Sequence, residues 1–268
     1  MHVNGSNDNS ELIKERTGFK TTNSQGLEMT CIKYTNSLNV LVEFKDPYYK
    51  TETCWGNFIK GKIRNPNLPS IYGVGIIGDK YPTSNSKKRI KEYVCWHDLL
   101  FRVYGNKRND STSLRYKECK VCDEWLYYPN FYEWLHSQEN FDKWHEGERW
   151  CLDKDILVKG NKIYSPDTCC LVPVNVNTLF VKKDKNRGEL PIGVTYNHKR
   201  YMANCSNPIT GNSRVYLGTY DRPIDAHYAY KYYKEDLIKE IAKIEYEKGN
   251  ITKQCYDAMM NYEVEITD

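Results

Sequence analysis

A chain of 268 residues, 40% of them hydrophobic, with a mean hydropathy of -0.76, can build two or three small cores; it contains no run of about 18 apolar residues and so predicts no membrane-spanning helix. A formal charge of +4 excludes a strongly basic polyelectrolyte, so a polyanion partner has to be argued from where the charge sits. Ten cysteines behind a polar N-terminus without an apolar signal core point to thiols in a reducing, cytoplasmic compartment.

Residues 1–16 are polar and rich in Asn and Ser, which reads as a frayed or disordered tail. From there the period is two. Met29, Cys31 and Lys33 alternate with Thr30, Ile32 and Tyr34, a Thr35-Asn36-Ser37 turn follows, and Val40, Val42 and Phe44 alternate with Leu41, Glu43 and Lys45, which predicts a β-hairpin. Phe58, Gly61 and Ile63 suggest a short third strand, so residues 17–80 are expected to be a small β module and its linker. In the next segment, 81–190, Val94, Trp96, Leu99, Leu100 and Val103 fall at helical spacing. A second aromatic helix opens at Pro129-Asn130 and carries Phe131, Trp134 and Leu135.

The stretch from Cys151 to Asn177 concentrates more chemistry than a hairpin needs to fold. Leu152-Asp153-Lys154-Asp155 reads as a strand whose alternation puts both carboxylates on one side, a set of oxygen donors suited to Mg²⁺. The cysteines read as buried thiols or as zinc ligands: Cys119-Lys120-Val121-Cys122 is a CxxC knuckle, which Cys151, Cys169 or Cys170 would complete to a tetrahedral site.

In residues 191–248, three short strands around Tyr196, Tyr201 to Cys205 and Val215 to Tyr220 are separated by turn residues. A helix follows, with Asp221 as its expected N-cap, Pro223 in the first turn and an apolar stripe from Ala226 to Ile241. A sheet with one helix on one face leaves the other face open to bind something. The last segment, 249–268, predicts a helical tail. Together these make an α+β, multidomain chain.

Tyr216-Leu217-Gly218-Thr219-Tyr220-Asp221 with Asp225-Ala226-His227-Tyr228-Ala229-Tyr230 resembles the plant ethylene-response-factor DNA-binding domain, which also accompanies HNH nucleases in phage homing endonucleases. That resemblance implies a sheet laid in the major groove of double-stranded DNA, with Tyr196, Lys199, Arg200, Tyr201, Asn204, Arg214 and Tyr216 at the contacting positions. The basic run Lys182, Lys183, Lys185 and Arg187 would add phosphate contacts. Trp96, Val121-Cys122-Asp123-Glu124-Trp125, Leu152-Asp153-Lys154-Asp155 and Tyr164-Ser165-Pro166-Asp167-Thr168-Cys169 are similar to the HNH part of the same phage proteins.

The HNH resemblance implies a ββα-metal nuclease. Its first strand is Leu152 to Asp155, its second Thr168 to Val172, and its helix Asn175 to Phe180, with Asp153, Asp155 and Asn177 on a divalent ion, expected to be Mg²⁺ by its oxygen donors, and Lys154 near the phosphate. No His occupies the first strand, which leaves the general base to Asp153 or to His145 from the preceding segment. A structural Zn²⁺ on Cys119, Cys122, Cys169 and Cys170 is the second metal expectation. The leading reading is a metal-dependent DNA endonuclease or nickase of phage type acting in an infected bacterial host. The alternatives are a non-catalytic DNA-binding regulator descended from such a nuclease, and a phage protein whose N-terminal β module docks a host protein. No membrane partner is expected.

Overall fold

A computed structural model describes residues 7–105, 116–181 and 189–268. Helix and strand are mixed in several separate small sheets, the α+β organisation expected. The chain forms two compact units, residues 1–107 with 126–132, and residues 108–125 with 133–268. Among the described residues no helix is long and apolar enough to cross a membrane.

The first unit is built on an antiparallel sheet. Helix α1 (Asn7–Arg16) leads into strands β1 (Lys20–Thr22), β2 (Glu28–Asn36), β3 (Asn39–Lys45) and β4 (Tyr48–Thr53), paired in chain order. The alternation that predicts the hairpin does the packing: Met29 opposes Phe44, Cys31 opposes Val42 and Tyr34 opposes Val40, all buried on one face. Two expectations change here. Of the segment read as frayed, Asn7–Arg16 is helical, because Leu12 packs against this core and Arg16 donates to Tyr34 Oη at 2.8 Å while lying over the Trp55 ring. The third strand is β4, whose half-exposed polar residues carry no apolar alternation, and Phe58 reaches the core from a short helix, α2 (Trp55–Ile59). A small ribbon, β5 (Ser84–Asn85) with β6 (Lys88–Arg89), precedes α3 (Lys91–Tyr104), which buries Trp96, Leu99, Leu100 and Val103 as its spacing requires.

The second unit contains the acidic hairpin and the C-terminal sheet. After β7 (Lys120–Val121) come α4 (Asp123–Leu126), then α5 (Tyr128–His136), whose first residues belong to the first unit, and α6 (Phe141–Glu146). Strands β8 (Trp150–Asp153) and β10 (Cys170–Pro173) pair antiparallel, with β9 (Ile163–Tyr164) between them in sequence but paired parallel to β7. A short helix, α7 (Val174–Asn177), and a 3-10 turn (Thr178–Phe180) follow β10 directly. Strands β11 (Val194–Asn197), β12 (Arg200–Asn207) and β13 (Asn212–Tyr220) form the C-terminal sheet, which α8 (Pro223–Glu247) covers on one face before the closing helix α9 (Lys253–Met260).

The expected segments 81–190, 191–248 and 249–268 do not each carry a core of their own. One apolar core joins Cys170, Val172 and Val176 of the hairpin to Leu237, Ile238, Ile241 and Ala242 of α8 and to Cys255 and Met259 of α9. A second, smaller cluster joins Val194, Ala203 and Tyr220 of the sheet to Ala226 and Ala229 at the other end of α8. With 25 residues, α8 is a rod of about 37 Å, long enough to serve both.

Candidate functional site

The face of the C-terminal sheet away from α8 is the first candidate. In the β12 to β13 pairing, Ala203 opposes Gly218 and Asn204 opposes Tyr216, which leaves Leu217 as an extra residue in a bulge. Gly218, at a φ of 128°, takes the backbone shape that the bulge requires. The bulge turns Leu217 toward the helix and Tyr216 away from it, where Tyr216 is 60% exposed.

The outward residues form a bonded row. Arg214 Nε donates to Asn204 Oδ1 at 3.2 Å, Asn204 Nδ2 donates to Thr195 Oγ1 at 3.4 Å, and the Tyr216 and Thr219 hydroxyls lie 2.7 Å apart. Each bond crosses or follows neighbouring strands, so the donors and acceptors are held in register by the sheet. At the tip, a two-residue turn puts both His198 (φ 47°) and Lys199 (φ 64°) in left-handed conformations, which matches a type I′ hairpin and presents Lys199 to solvent. Arg200 is exposed beside it and donates to Asp221 Oδ1 at 3.0 Å. That pairing removes Asp221 from its expected capping role: the N-cap position is Arg222, whose guanidinium holds Asp225 through two bonds.

Of the sheet residues named from the resemblance, Lys199, Arg200, Asn204, Arg214 and Tyr216 are on the open face or its tip. Tyr201 is not: it opposes Tyr220 and packs with Leu217 and Ala229 on the helix side. Tyr196 opposes Tyr201, 5.1 Å from it between ring centres, at the margin of that covered side, although it is 57% exposed. Thr195 and Thr219 belong to the open face and were missed, since nothing in their spacing distinguishes them from other strand threonines. Lys182, Lys183, Lys185 and Arg187 lie outside the described residues.

The acidic hairpin is the second candidate. Strand β8 ends at Asp153, so Asp155 does not share a strand face with it as the alternation predicts. The reason is local: Asp153 Oδ1 accepts from the backbone N–H of Asp155 at 2.7 Å and of Ile156 at 2.8 Å, an Asx turn that ends the strand. Burial pushes the Asp153 carboxyl above its ordinary value, against the pull of those two donors. Lys154 is buried; its ammonium binds both Asp155 oxygens at 2.6 and 2.7 Å and the Asn161 carbonyl at 2.8 Å, near the Tyr164 ring. Asn161 closes the loop by donating to the carbonyls of Lys154 and Ile163. These bonds direct Lys154 inward, away from any phosphate approaching the surface.

The metal expectations meet this geometry poorly. The ammonium of Lys154 occupies the position beside Asp155 that a divalent ion would take, and Asp153 Oδ1 is committed to the backbone. Asn177 is half-buried on α7, and His145 is exposed on α6 with its ring 5.4 Å from that of Phe141. Among the described residues no three of the Asp, Glu, His and Cys side chains converge as a ligand set. The four cysteines of the zinc expectation divide between two settings. Cys170, the first residue of β10, belongs to the apolar core and its free thiol lies near that of Cys255, whereas Cys169, just before the strand, has Cys122 among its neighbours. Burial pushes the Cys169 thiol up to about 12 and the Cys122 thiol up to about 11. The knuckle follows β7 where it pairs with β9, and Cys122 N–H donates to the Tyr164 carbonyl at 2.9 Å.

Lys234 is a charged residue that the sequence reading does not single out. Lys234 is 7% exposed on α8. The signal was present, since it stands on the apolar stripe of that helix between Tyr230 and Leu237, where a solvated lysine does not belong.

Comparison with protein-family models, curated proteins and solved structures gives no match.

Proposed function

We propose that the chain binds double-stranded DNA through the open face of the β11–β13 sheet. The observation that carries this reading is the row Thr195, Asn204, Arg214 and Tyr216, fixed by side-chain bonds across three strands and exposed away from α8. Strands about 4.8 Å apart spread that row over about 10 Å, within the roughly 12 Å width of a B-DNA major groove. Arg214 and Asn204 are side chains that form two-pronged bonds to guanine and adenine edges, and Lys199 and Arg200 at the tip suit phosphates. Lys182, Lys183, Lys185 and Arg187 precede the sheet in sequence and extend the phosphate-binding charge.

The test is fluorescence anisotropy with labelled duplexes over a range of salt. Arg214→Ala and Asn204→Ala should each weaken binding by about 1–3 kcal/mol at a preferred sequence, and Lys199→Ala should lower the salt slope by about one ion while weakening all sequences alike. Unchanged affinity in all three variants refutes the reading.

A metal-dependent nuclease is the second reading, favoured by one observation: β8 and β10 pair antiparallel and α7 follows at once, the strand, strand, helix order that the HNH resemblance implies. A divalent ion at Asp155 would have to displace the Lys154 ammonium. Incubating supercoiled plasmid with Mg²⁺ or Mn²⁺ decides it: nicked or linear product that disappears in Asp155→Ala supports the nuclease, and intact plasmid with retained DNA binding leaves the regulator.

A further inference from the structure

A cavity of about 670 Å³ opens in the second unit beside the start of β11, where that strand is too short to cover the far half of β12. Its walls are largely apolar, with Leu179, Phe180, Ile192, Tyr230 and Val264 among them, and Ser206, Asn212 and Arg214 at its polar side. Lys234 also lines it. The ammonium stem comes up from α8, more than nine-tenths buried, and no hydrogen bond or ion pair to it is found among the described residues. The Cys205 thiol on β12, which burial pushes up, is the titratable group that acts on it, and the buried Asp268 carboxylate, paired with Lys159 at 2.6 Å, also lines the cavity.

An ammonium in such a place is costly. Burying a charge away from other charges is disfavoured, the open cavity relieves only part of that cost, and a helix stripe otherwise made of Tyr230, Leu237, Ile238 and Ile241 has no packing need for it. Burial accordingly pushes the Lys234 ammonium below its ordinary value. A volume of this size lies in the range of small-molecule sites, which combine apolar walls with a few placed polar groups.

We propose that this cavity binds a small anionic molecule with an apolar body, a carboxylate whose charge pairs with Lys234 and whose hydrocarbon part lies against Leu179, Phe180, Ile192 and Tyr230. Ser206, Asn212 and Arg214 give the mouth of the site further donors. The site shares Thr195, Asn204 and Arg214 with the face proposed to read DNA, whereas Lys234 lies on the helix side of the sheet, so the site is tested with no duplex present.

Isothermal titration of the full chain with octanoate tests it, with octanol and octylammonium as neutral and cationic probes at the same ionic strength. Octanoate should bind with one site, and both other probes at least tenfold more weakly. Lys234→Met should weaken octanoate at least tenfold, while Lys243→Met, which removes an exposed charge from the same helix, should leave it unchanged. No octanoate binding to the unaltered protein, equal binding of octanol, or equal effects of the two substitutions overturns the proposal. Should Lys234→Met fail to fold by circular dichroism, the three-probe comparison on the unaltered protein decides alone.

Discussion

Asp153 distinguishes a hairpin that folds from a hairpin that reacts. Its Oδ1 accepts two backbone N–H groups, of which that of Ile156 is buried beyond the reach of water. Asp153→Ala strands both donors at about 1–3 kcal/mol each for a buried group, less for the half-exposed Asp155, so the expected loss is about 2–4 kcal/mol. Asp153→Asn keeps an acceptor in the same place and removes a charge that burial disfavours, and should stay within about 1 kcal/mol of the parent. The pH dependence has a definite sign. Because burial raises the folded-state value above the ordinary 3.8, the native state binds the proton more tightly than the unfolded chain between those two values. Parent stability attributable to this group therefore falls as pH rises from 3.8 through the folded value and is flat beyond it, and the Asn variant gains on the parent over that window. Urea unfolding followed by tryptophan fluorescence from pH 4 to 7, with and without Mg²⁺, measures both. An Asp153→Ala protein as stable as the parent would falsify the Asx-turn assignment. If Asp153→Asn instead lost as much as Asp153→Ala, and only the parent were stabilised by Mg²⁺, the carboxylate would be a metal ligand.

Gly193 has a φ of 80°, and a Cβ there would stand 2.0 Å from the Tyr230 ring; Gly193→Ala should cost about 3 kcal/mol in thermal unfolding, from left-handed backbone plus overpacking, with partial rescue by Tyr230→Leu. A loss below about 0.5 kcal/mol, or no coupling in that pair, contradicts the packing described. Asn140 is buried and donates to the carbonyls of Leu171 and Asn250, both at 2.9 Å, so Asn140→Ala should lose about 2 kcal/mol and Asn140→Asp more, through a buried charge beside two carbonyls. Equal loss in the two variants at pH 7 argues against that environment. A fragment of residues 191–248 leaves Leu237, Ile238, Ile241 and Ala242 without the hairpin and α9, so hydrogen exchange should find α8 protected near Ala226 and open beyond Lys234. Protection along the whole helix would show that the shared core is dispensable.

Where burial on one face alternates cleanly, the residues announce the fold. Val40, Val42 and Phe44 define β3, and the spacing of Trp96, Leu99, Leu100 and Val103 defines α3. Strand β4 was hidden because an edge strand with Tyr48, Lys50 and Glu52 in water has no reason to alternate. Asp153-Lys154-Asp155 reads as a strand by period, but Asp competes for backbone N–H groups, and that competition won. The cysteine set looked plausible because spacing along a chain says nothing of facing: Cys169 and Cys170 are neighbours in sequence and point into different environments. The open face of the C-terminal sheet was legible as a surface, yet its membership turned on the Leu217-Gly218 bulge, which shifts phase and so decides that Tyr216 faces out while Tyr201 faces the helix.

The long helix α8 explains why the hairpin and the sheet cannot be treated as beads on a string. Its first turns complete the cluster of Val194, Ala203 and Tyr220, and its later turns complete the core of Val172, Val176, Ile238 and Met259. An α-helix is stiff over this length, and each half is held by packing, so neither cluster can reposition α8 without disturbing the other. Lys234 stands between Tyr230 and Leu237, inside the larger of the two clusters, and the cavity opens there. A substitution at Lys234 is therefore felt first by the core that α8 shares with the hairpin and α9, and only through the helix by the cluster around Ala226.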